Sequence, residues 1–188
     1  MNSEKEMEFI KTDIEGVVIL KPRVFEDARG YFYESFSQRE FDENVAPVRF
    51  VQDNQSRSSR RVIRGLHFQK PPYAQAKLVR CTLGCVVDVA VDLRSGSPTF
   101  GRHVDVELSE ANKLQLFIPK GFAHGFAVLS PEAVFEYKCD EYYAPQSEGG
   151  ISILSPELEI EWPVCLADAN LSPKDLQLPL WKDFVTPF

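Results

Sequence analysis

The sequence lacks the motifs that mark several large classes of enzyme. It contains no glycine-rich phosphate loop, no dinucleotide-binding fingerprint and no serine in a nucleophile-elbow pattern. No cysteine is paired with a nearby histidine, so covalent acyl transfer has no support. A P-loop nucleotidase, a Rossmann-type oxidoreductase and an α/β-hydrolase are therefore excluded as interpretations.

Long apolar runs and an excess of positive charge are also missing. No run approaches the length of a membrane-spanning helix, and the charged start MNSEKEMEFIK lacks the apolar core of a signal peptide. A formal net charge of −7 argues against binding to nucleic acid or to an anionic membrane. We therefore expect a cytoplasmic protein with no nucleic-acid partner and no membrane partner.

Cysteine and histidine are scarce, which bears on metal binding. The four cysteines lie mostly in apolar, strand-like surroundings, where cysteine behaves as a small hydrophobe. A metal-binding β-barrel needs several histidines and a carboxylate that converge on one point. The chain has three histidines, and Gln69 stands two residues after His67, where a second histidine would be needed. We predict no metal and no cofactor; an ion shared by His67 and His124 is the minority alternative.

Short strand-like segments dominate what is present. Fourteen Phe and thirteen Pro favour a β-rich chain over a helical bundle, and 188 residues suit a single domain, 1–188. About ten segments of roughly five to eight residues, separated by Gly and Pro turns, predict an all-β antiparallel sandwich or barrel of the jelly-roll type. Short peripheral helices are predicted from Ser37 to about Asn44 and at Ser172–Asp175, and residues 1–11 are expected to form a frayed arm.

The stretch Arg61–Arg80 concentrates side chains that can do chemistry. Two strand-like runs, Val62–Phe68 and Ala76–Leu83, flank a proline-containing loop and are predicted to form a hairpin. The polar side chains of interest are Arg64, His67, Gln69 and Lys77. Any one of them alone is best explained as a solvated or structural residue, but the set of four favours a functional site.

Proton transfer is the chemistry that these residues support without a metal. His67 is the candidate base, because a histidine held by a carboxylate titrates near neutral pH. Spacing alone leaves its carboxylate partner open among Asp88, Asp92 and Asp175. Lys77 is placed to face a developing negative charge.

Two further residue types could complete such a site. Tyr137 is a candidate acid on the far side of a bound substrate, although an aromatic that fills the barrel is the alternative. Phosphate binding would have to come from arginines such as Arg29 and Arg64. Asp175 has a structural alternative as well, because an acid at the third position of a helix accepts backbone N–H groups.

Eight segments of the chain closely resemble the dTDP-4-dehydrorhamnose 3,5-epimerase family. They occur in family order from about Ile10 to Asp175 and are together highly specific. The segments are RVFEDARGYFYESF (23–36), FVQDNQSRSS (50–59), VIRGLHFQKPP (62–72), KLVRCTLG (77–84), DVAVDLRSGSPTFG (88–101), IPKGFAHGF (118–126), EYKCDEYYAP (136–145) and LSPKD (171–175).

The resemblance implies a fold, an activity and a partner. The fold is a metal-free, cupin-like jelly roll that works as a homodimer in dTDP-L-rhamnose biosynthesis. The activity inverts carbons 3 and 5 of a dTDP-4-keto-6-deoxy sugar, since both carbons flank the ketone and each proton can be removed to give an enolate. Such chemistry needs a base, an opposing acid and a group that stabilises the enolate oxygen.

The resemblance also implies roles for individual residues. His67 matches the base, Asp175 its carboxylate partner, Tyr137 the opposing acid and Lys77 the group at the enolate oxygen. Arg29 and Arg64 would contact the diphosphate and nucleotide, and Tyr143 would stack on thymine. The full set of substrate-contact positions is Phe25, Arg29, Glu34, Gln52, Asn54, Arg64, His124, Tyr143, Glu148 and Lys174.

Three alternatives stay open at this point. Relatives that invert only one carbon, or that move a ketone along the ring, share much of this framework. A metal-dependent cupin would use His67 and His124. A carbohydrate-binding jelly roll would stack its aromatic residues on sugars and leave His67 as a structural residue.

Overall fold

A computed structural model describes residues 7–188, which form thirteen strands, one α-helix and five short 3-10 helices. The strands and the helix are β1 (Met7–Lys11), β2 (Val18–Pro22), β3 (Phe25–Asp27), β4 (Gly30–Phe32), α1 (Gln38–Asn44), β5 (Gln52–Ser59), β6 (Ile63–Gln69), β7 (Lys77–Leu83), β8 (Cys85–Asp92), β9 (His103–Ser109), β10 (Gln115–Ile118), β11 (Phe122–Val128), β12 (Glu132–Cys139) and β13 (Glu148–Gly150).

Two antiparallel sheets face each other. The six-stranded sheet has the order β1-β2-β10-β7-β12-β5 and the five-stranded sheet the order β13-β6-β11-β8-β9, while β3 and β4 form a separate ribbon. The strand content and the antiparallel pairing confirm the predicted all-β jelly roll with short peripheral helices. Within residues 7–188, no helix is long and apolar enough to cross a membrane.

The predicted hairpin is wrong. Its two runs, β6 and β7, lie in different sheets, and the consecutive strands β11 and β12 also lie in different sheets. Alternation of polar and apolar residues identifies a strand and its buried face, but it does not identify the neighbouring strand. The loop 70–76 is long enough to cross the roughly 10 Å between packed sheets instead of turning back within one sheet.

Some predicted boundaries also differ from the structure. Residues 7–11 of the predicted frayed arm form β1, which pairs with β2, and residues 1–6 lie outside the described part of the chain. The basic segment before the Val62–Phe68 run is mostly strand, because β5 spans Gln52–Ser59, and its Arg57 forms a cross-strand ion pair with Glu132.

Helix α1 begins where the sequence predicts. The Ser37 side chain caps it and accepts a hydrogen bond from the Glu40 backbone N–H. Phe41 is the buried residue of the helix and packs edge-on against Phe50 and Phe117, with centroid distances of 5.4 and 5.1 Å. Burial of such a side chain stabilises the fold by about 1.5–3 kcal/mol, so the helix is held on the outer face of the six-stranded sheet by this contact.

The apolar core lies between the two sheets. Phe135 of β12 and Phe126 of β11 stack with their centroids 4.2 Å apart and an interplanar angle of 20°. Val79 of β7 and Ala90 of β8 belong to the same buried cluster. Because this cluster fills only part of the space between the sheets, polar side chains can occupy the remainder.

Asp92, at the end of β8, is expected to make an acid-sensitive contribution to the free energy of unfolding. Burial alone would raise the pKa of this carboxyl, but hydrogen bonds donated by Arg94, Ser97 and Thr99 lower it to about 2. A lowered pKa stabilises the fold above the unfolded-state pKa, by about 2.5 kcal/mol at pH 7, and this stabilisation disappears as pH falls through the native pKa. We expect Asp92→Asn to lose about this much in urea unfolding at pH 7, and about half as much at pH 3. A difference between wild type and variant that does not change with pH would contradict this explanation.

Candidate active site

A cavity of about 520 Å³ lies between the two sheets. Side chains from β6 and β11 of the five-stranded sheet line one side, and side chains from β7 and β12 line the other. The segment 170–175 closes a further side. The lining residues are Ser56, Val62, Ile63, Arg64, His67, Lys77, His124, Phe126, Phe135, Tyr137, Asn170, Leu171, Ser172, Pro173, Lys174 and Asp175.

His67 and Asp175 are in direct contact in this cavity. His67 Nε2 lies 2.6 Å from Asp175 Oδ1, although the two residues are 108 positions apart. The Asp175 side chain is 4% exposed and the imidazole 41%, so the carboxylate supports the ring from behind while the ring reaches the cavity. Burial would raise the pKa of Asp175, but the hydrogen bond and charge of His67, with Ser172, lower it below its ordinary value. The carboxylate is therefore ionised at neutral pH.

Backbone hydrogen bonds hold the segment that carries Asp175 beside β6. Asn170 N–H donates to Arg61 O at 2.9 Å, and Ile63 N–H donates to Asn170 O at 3.3 Å, which makes a single parallel bridge. The Ser172 hydroxyl then accepts a hydrogen bond from Asp175 N–H at 3.1 Å. The predicted helix start is thus one short 3-10 turn, and its geometry aims the Asp175 carboxylate at the imidazole.

Lys77 and Tyr137 face His67 from the opposite sheet. Lys77 begins β7 and Tyr137 lies on the neighbouring strand β12, with Lys77 Nζ 5.7 Å from the centre of the Tyr137 ring. Burial lowers the pKa of Lys77, and this effect is opposed by electrostatic interactions with Cys139 and Asp88. Burial also raises the pKa of Tyr137, so the phenol stays protonated at neutral pH.

A second imidazole–carboxylate pair lies in the same wall as His67. His124 Nε2 is 2.8 Å from Asp88 Oδ2, and both residues are buried. Asp88 was one of the three candidate partners of His67; the structure joins it to His124, and Asp92 to Arg94. The sequence carries one signal for this pair, since an aspartate inside the apolar run of β8 needs a buried partner.

Two glycines allow β6 and β11 to approach closely beside these imidazoles. Gly65 has φ +131°, and a Cβ there would lie 2.6 Å from the Gly125 Cα. A Cβ on Gly125 would lie 2.6 Å from Arg64 O. The β11 register shifts at this point, and His124 is paired with His67 across the two strands. The close approach therefore sets both rings side by side in the wall.

Gln69 has a structural role and does not line the cavity. Its side chain is buried, donates to the Tyr142 carbonyl at 3.2 Å and accepts from Ala144 N–H at 2.7 Å. It thereby anchors the loop that carries Tyr143, and Gln52 accepts a hydrogen bond from the Tyr143 backbone N–H at 3.1 Å. The four-residue set predicted from the sequence therefore divides into three cavity residues and one that supports the rim.

Seven of the ten predicted substrate-contact residues lie outside the cavity lining: Phe25, Arg29, Glu34, Gln52, Asn54, Tyr143 and Glu148. Phe25 and Arg29 lie on the exposed β3–β4 ribbon. Glu148 reaches the rim, where it forms an ion pair with Lys174. The remaining three predicted contacts, Arg64, His124 and Lys174, line the cavity. Sequence reasoning missed Ser56, Phe126, Phe135 and Asn170, which no local pattern distinguishes from ordinary strand and loop residues.

The donors for a metal ion are not grouped in the described chain. Among residues 7–188, no cluster of three or more His, Cys, Asp or Glu is arranged to hold an ion. His67 and His124 each have one carboxylate partner and belong to separate pairs. All four cysteines are free thiols.

The chain is similar to known proteins over most of its length. The family model described as dTDP-4-dehydrorhamnose 3,5-epimerase matches residues 11–183. The dTDP-4-dehydrorhamnose 3,5-epimerase of Escherichia coli (strain K12) is 57% identical over 173 residues, which cover 92% of this chain and 93% of that protein. The crystal structure of dTDP-6-deoxy-D-glucose-3,5-epimerase from Legionella pneumophila, in complex with dTDP-4-keto-L-rhamnose, is 50% identical with a TM-score of 0.91 over 95% of each chain. A 3'-monoepimerase from Streptomyces bikiniensis is more distant, at 33% identity and a TM-score of 0.83 over 91% of this chain and 86% of that one.

Proposed function

The chain belongs to the dTDP-4-dehydrorhamnose 3,5-epimerase family, and we propose that it converts dTDP-4-dehydro-6-deoxy-D-glucose to dTDP-4-dehydro-L-rhamnose by inverting carbons 3 and 5. It is thus an isomerase of dTDP-L-rhamnose biosynthesis. One observation carries the proposal: the His67–Asp175 pair and the Lys77–Tyr137 pair line opposite sides of one cavity. A ketosugar between the sheets has a base on one face and an acid on the other.

The proposed reaction needs two proton transfers at each carbon. His67 Nδ1, the ring nitrogen that Asp175 does not contact, takes the proton from a carbon next to the ketone, the C–H electron pair forms the enolate, and the ketone oxygen gains the negative charge. Lys77 donates a hydrogen bond to that oxygen. Tyr137 then returns a proton to the opposite face of the carbon, which inverts its configuration. No redox partner is required, because the electrons stay on the sugar.

The electrostatics of the site suit these roles. The ionised Asp175 stabilises the imidazolium that forms when His67 takes a proton, as a buried carboxylate does behind a catalytic histidine. Tyr137 keeps its proton at neutral pH and is available as an acid, because burial raises its pKa. Lys77 is a stronger proton donor than an exposed lysine, because burial lowers its pKa.

The nucleotide part of the substrate is proposed to lie toward the rim. Arg64 lines the cavity mouth with an exposed side chain, and Ser58 orients its guanidinium through a hydrogen bond of 3.0 Å, which suits a diphosphate. Tyr143, 54% exposed on the loop that Gln69 anchors, is proposed to stack on the base. The ligand of the Legionella relative supports a dTDP-sugar as the substrate class.

A homodimer is part of the proposal. Phe25 and Arg29 are predicted substrate contacts, yet they lie on an exposed ribbon away from the cavity of their own chain. The ribbon also exposes Tyr31 and Phe32, by 60% and 70%, which is costly for an unpartnered surface. Both observations support a ribbon that reaches a second copy of the chain, and sedimentation velocity measures this state directly. A cytoplasmic location is proposed as well, and the four free thiols support it.

Deuterium incorporation tests the proposed reaction. The protein is incubated with dTDP-4-keto-6-deoxyglucose in deuterated water that contains a metal chelator, and the sugar is examined by NMR. We expect deuterium at carbons 3 and 5 and the L-configured product. Label at one carbon alone would identify a single-site epimerase, and dependence on added metal would identify a metal cupin. Saturable binding without any label would identify a carbohydrate-binding protein and refute the proposal.

A further inference from the structure

The His124–Asp88 pair takes no part in the proton transfers proposed above. Asp88 is 0% exposed and His124 7%, and they lie on the neighbouring strands β8 and β11. The imidazole lies nearly parallel to the Phe135 ring, at a centroid distance of 5.9 Å and an angle of 20°. A buried carboxylate needs a strong reason, because an unpaired one costs several kcal/mol. The cost of burying this carboxylate therefore indicates that the pair has a specific role in the cavity wall.

The second nitrogen of the imidazole is available to a ligand. His124 Nε2 contacts Asp88 Oδ2 at 2.8 Å, and within residues 7–188 no protein group hydrogen-bonds Nδ1. Nδ1 is not sealed in the core either, and His124 lines the cavity. The hydrogen bond at Nε2 and the stacking on Phe135 fix the ring plane, so Nδ1 has one orientation.

The charges around the ring favour its neutral form. Burial lowers the pKa of His124, Asp88 on β8 opposes this, and Lys77 on β7 and His67 on β6 lower the pKa further. A neutral imidazole carries one proton. Asp88 Oδ2 accepts the hydrogen bond at Nε2, so the single proton of the neutral ring resides on Nε2, and Nδ1 is left as a hydrogen-bond acceptor. The other Asp88 oxygen has no hydrogen-bond partner in the described chain, so its charge is directed at this ring and at Lys77.

We infer that Asp88 is a positioning residue that holds His124 as the Nε2-protonated tautomer, so that Nδ1 accepts a hydrogen bond from a hydroxyl of the sugar. The inference rests on the proposed function and assigns the orientation of the sugar in the cavity. Lys77 has only donors to offer, so it meets the ketone oxygen. His124 offers an acceptor, so it meets a hydroxyl and repels a carbonyl. The two side chains together determine which way the ring of the substrate lies between His67 and Tyr137.

The tautomer is measurable in the wild-type protein without any activity assay. The chain has only three histidines, so two-bond ¹H–¹⁵N spectra of histidine-labelled protein are simple, and the His124→Gln variant assigns the resonance. We expect a neutral His124 with its proton on Nε2 from about pH 6 to 8. A proton on Nδ1, or an imidazolium over this range, would overturn the inference.

Kinetics of Asp88→Asn test the consequence for the substrate. The asparagine keeps the shape of the side chain but removes the charge that selects the tautomer. We expect kcat/KM for the dTDP-ketosugar to fall by about 10- to 100-fold, by analogy with the range seen when a residue that orients a metal-binding histidine is lost. The affinity for dTDP, which lacks the ketosugar, should stay within about twofold, because Asp88 acts only through His124. Unchanged kcat/KM would overturn the inference.

Asp92→Asn is the matched control. Asp92 is an equally buried carboxylate on the same strand, but its partners are Arg94, Ser97 and Thr99. It should lose stability and retain wild-type kcat/KM, which separates a role at the substrate from general damage. If wild type itself incorporates no deuterium, the proposed function fails; if wild type is active and Asp88→Asn equals it, only the present inference fails.

A sugar nucleotide without one hydroxyl gives the final comparison. An analogue that lacks the hydroxyl facing His124 should bind wild type more weakly than the complete sugar nucleotide does. Asp88→Asn should bind the analogue and the complete sugar nucleotide with similar affinity, because the substitution and the missing hydroxyl remove the same hydrogen bond. If, for every hydroxyl tested, the affinity lost on removing the hydroxyl is as large in Asp88→Asn as in wild type, no hydroxyl binds Nδ1. That result would overturn the inference.

Discussion

Replacement of His67 by asparagine should lower kcat for epimerisation by about 10²- to 10⁴-fold, the usual contribution of a positioned general base. Asparagine retains polarity and approximate size but cannot take a proton from carbon. The ring is 41% exposed and contacts the protein through Asp175, so its loss should leave the sheets and the cavity in place. Affinity for dTDP should stay within about twofold, because the nucleotide is proposed to lie at the rim.

The measurement is deuterium incorporation at both carbons, with dTDP binding followed separately by calorimetry. His103→Asn is the matched control: His103 is a half-buried histidine on β9 whose Nε2 is 3.8 Å from Asp105, and it is not among the residues that line the cavity. It should exchange deuterium at the wild-type rate. Undiminished exchange in His67→Asn would show that another group removes the proton, and the mechanism proposed here would be wrong.

Replacement of Lys77 by methionine should lower kcat by about 10²- to 10³-fold, the cost of losing one donor to a developing oxyanion. Methionine keeps the length and the apolar stem of lysine and removes only the ammonium. The enolate would then form without a charged donor inside a cavity from which water is partly excluded. Because this interaction strengthens as the enolate forms, the loss should appear in kcat more than in KM.

The protonation of Lys77 also leads to a prediction for how the activity of the wild-type enzyme depends on pH. Its ammonium must be present for the reaction, and burial lowers its pKa from that of an ordinary lysine. On the alkaline side, activity should therefore decline as pH rises through the lowered pKa, at a pH below the ordinary value of about 10.4. Lys138→Met is the matched control, because Lys138 lies on β12 and forms an ion pair with Asp53, apart from the cavity residues. A Lys77→Met enzyme with wild-type kcat would exclude the proposed role.

Local sequence patterns were sufficient to predict the class of fold and the type of chemistry. The two-residue alternation of apolar side chains identifies strands, and turn residues separate them, so the all-β prediction needed no knowledge of which strands pair. The helix cap at Ser37 was correct for the same local reason. His67 stood out because few side chains change protonation near neutral pH, and the eight family segments supplied the reaction class.

The side chains that meet in the site could be identified only in the folded chain. Three aspartates were equal partners for His67 by spacing, and the fold assigned Asp175 to His67, Asp88 to His124 and Asp92 to Arg94. Two strands that the sequence joined as a hairpin belong to opposite sheets, and this separation is what brings Lys77 to the side of the cavity opposite His67. The physical reason is that residue type and alternation act locally, whereas pairing of strands and the approach of a segment 108 positions away depend on hydrogen bonds and burial that exist only after the chain has folded.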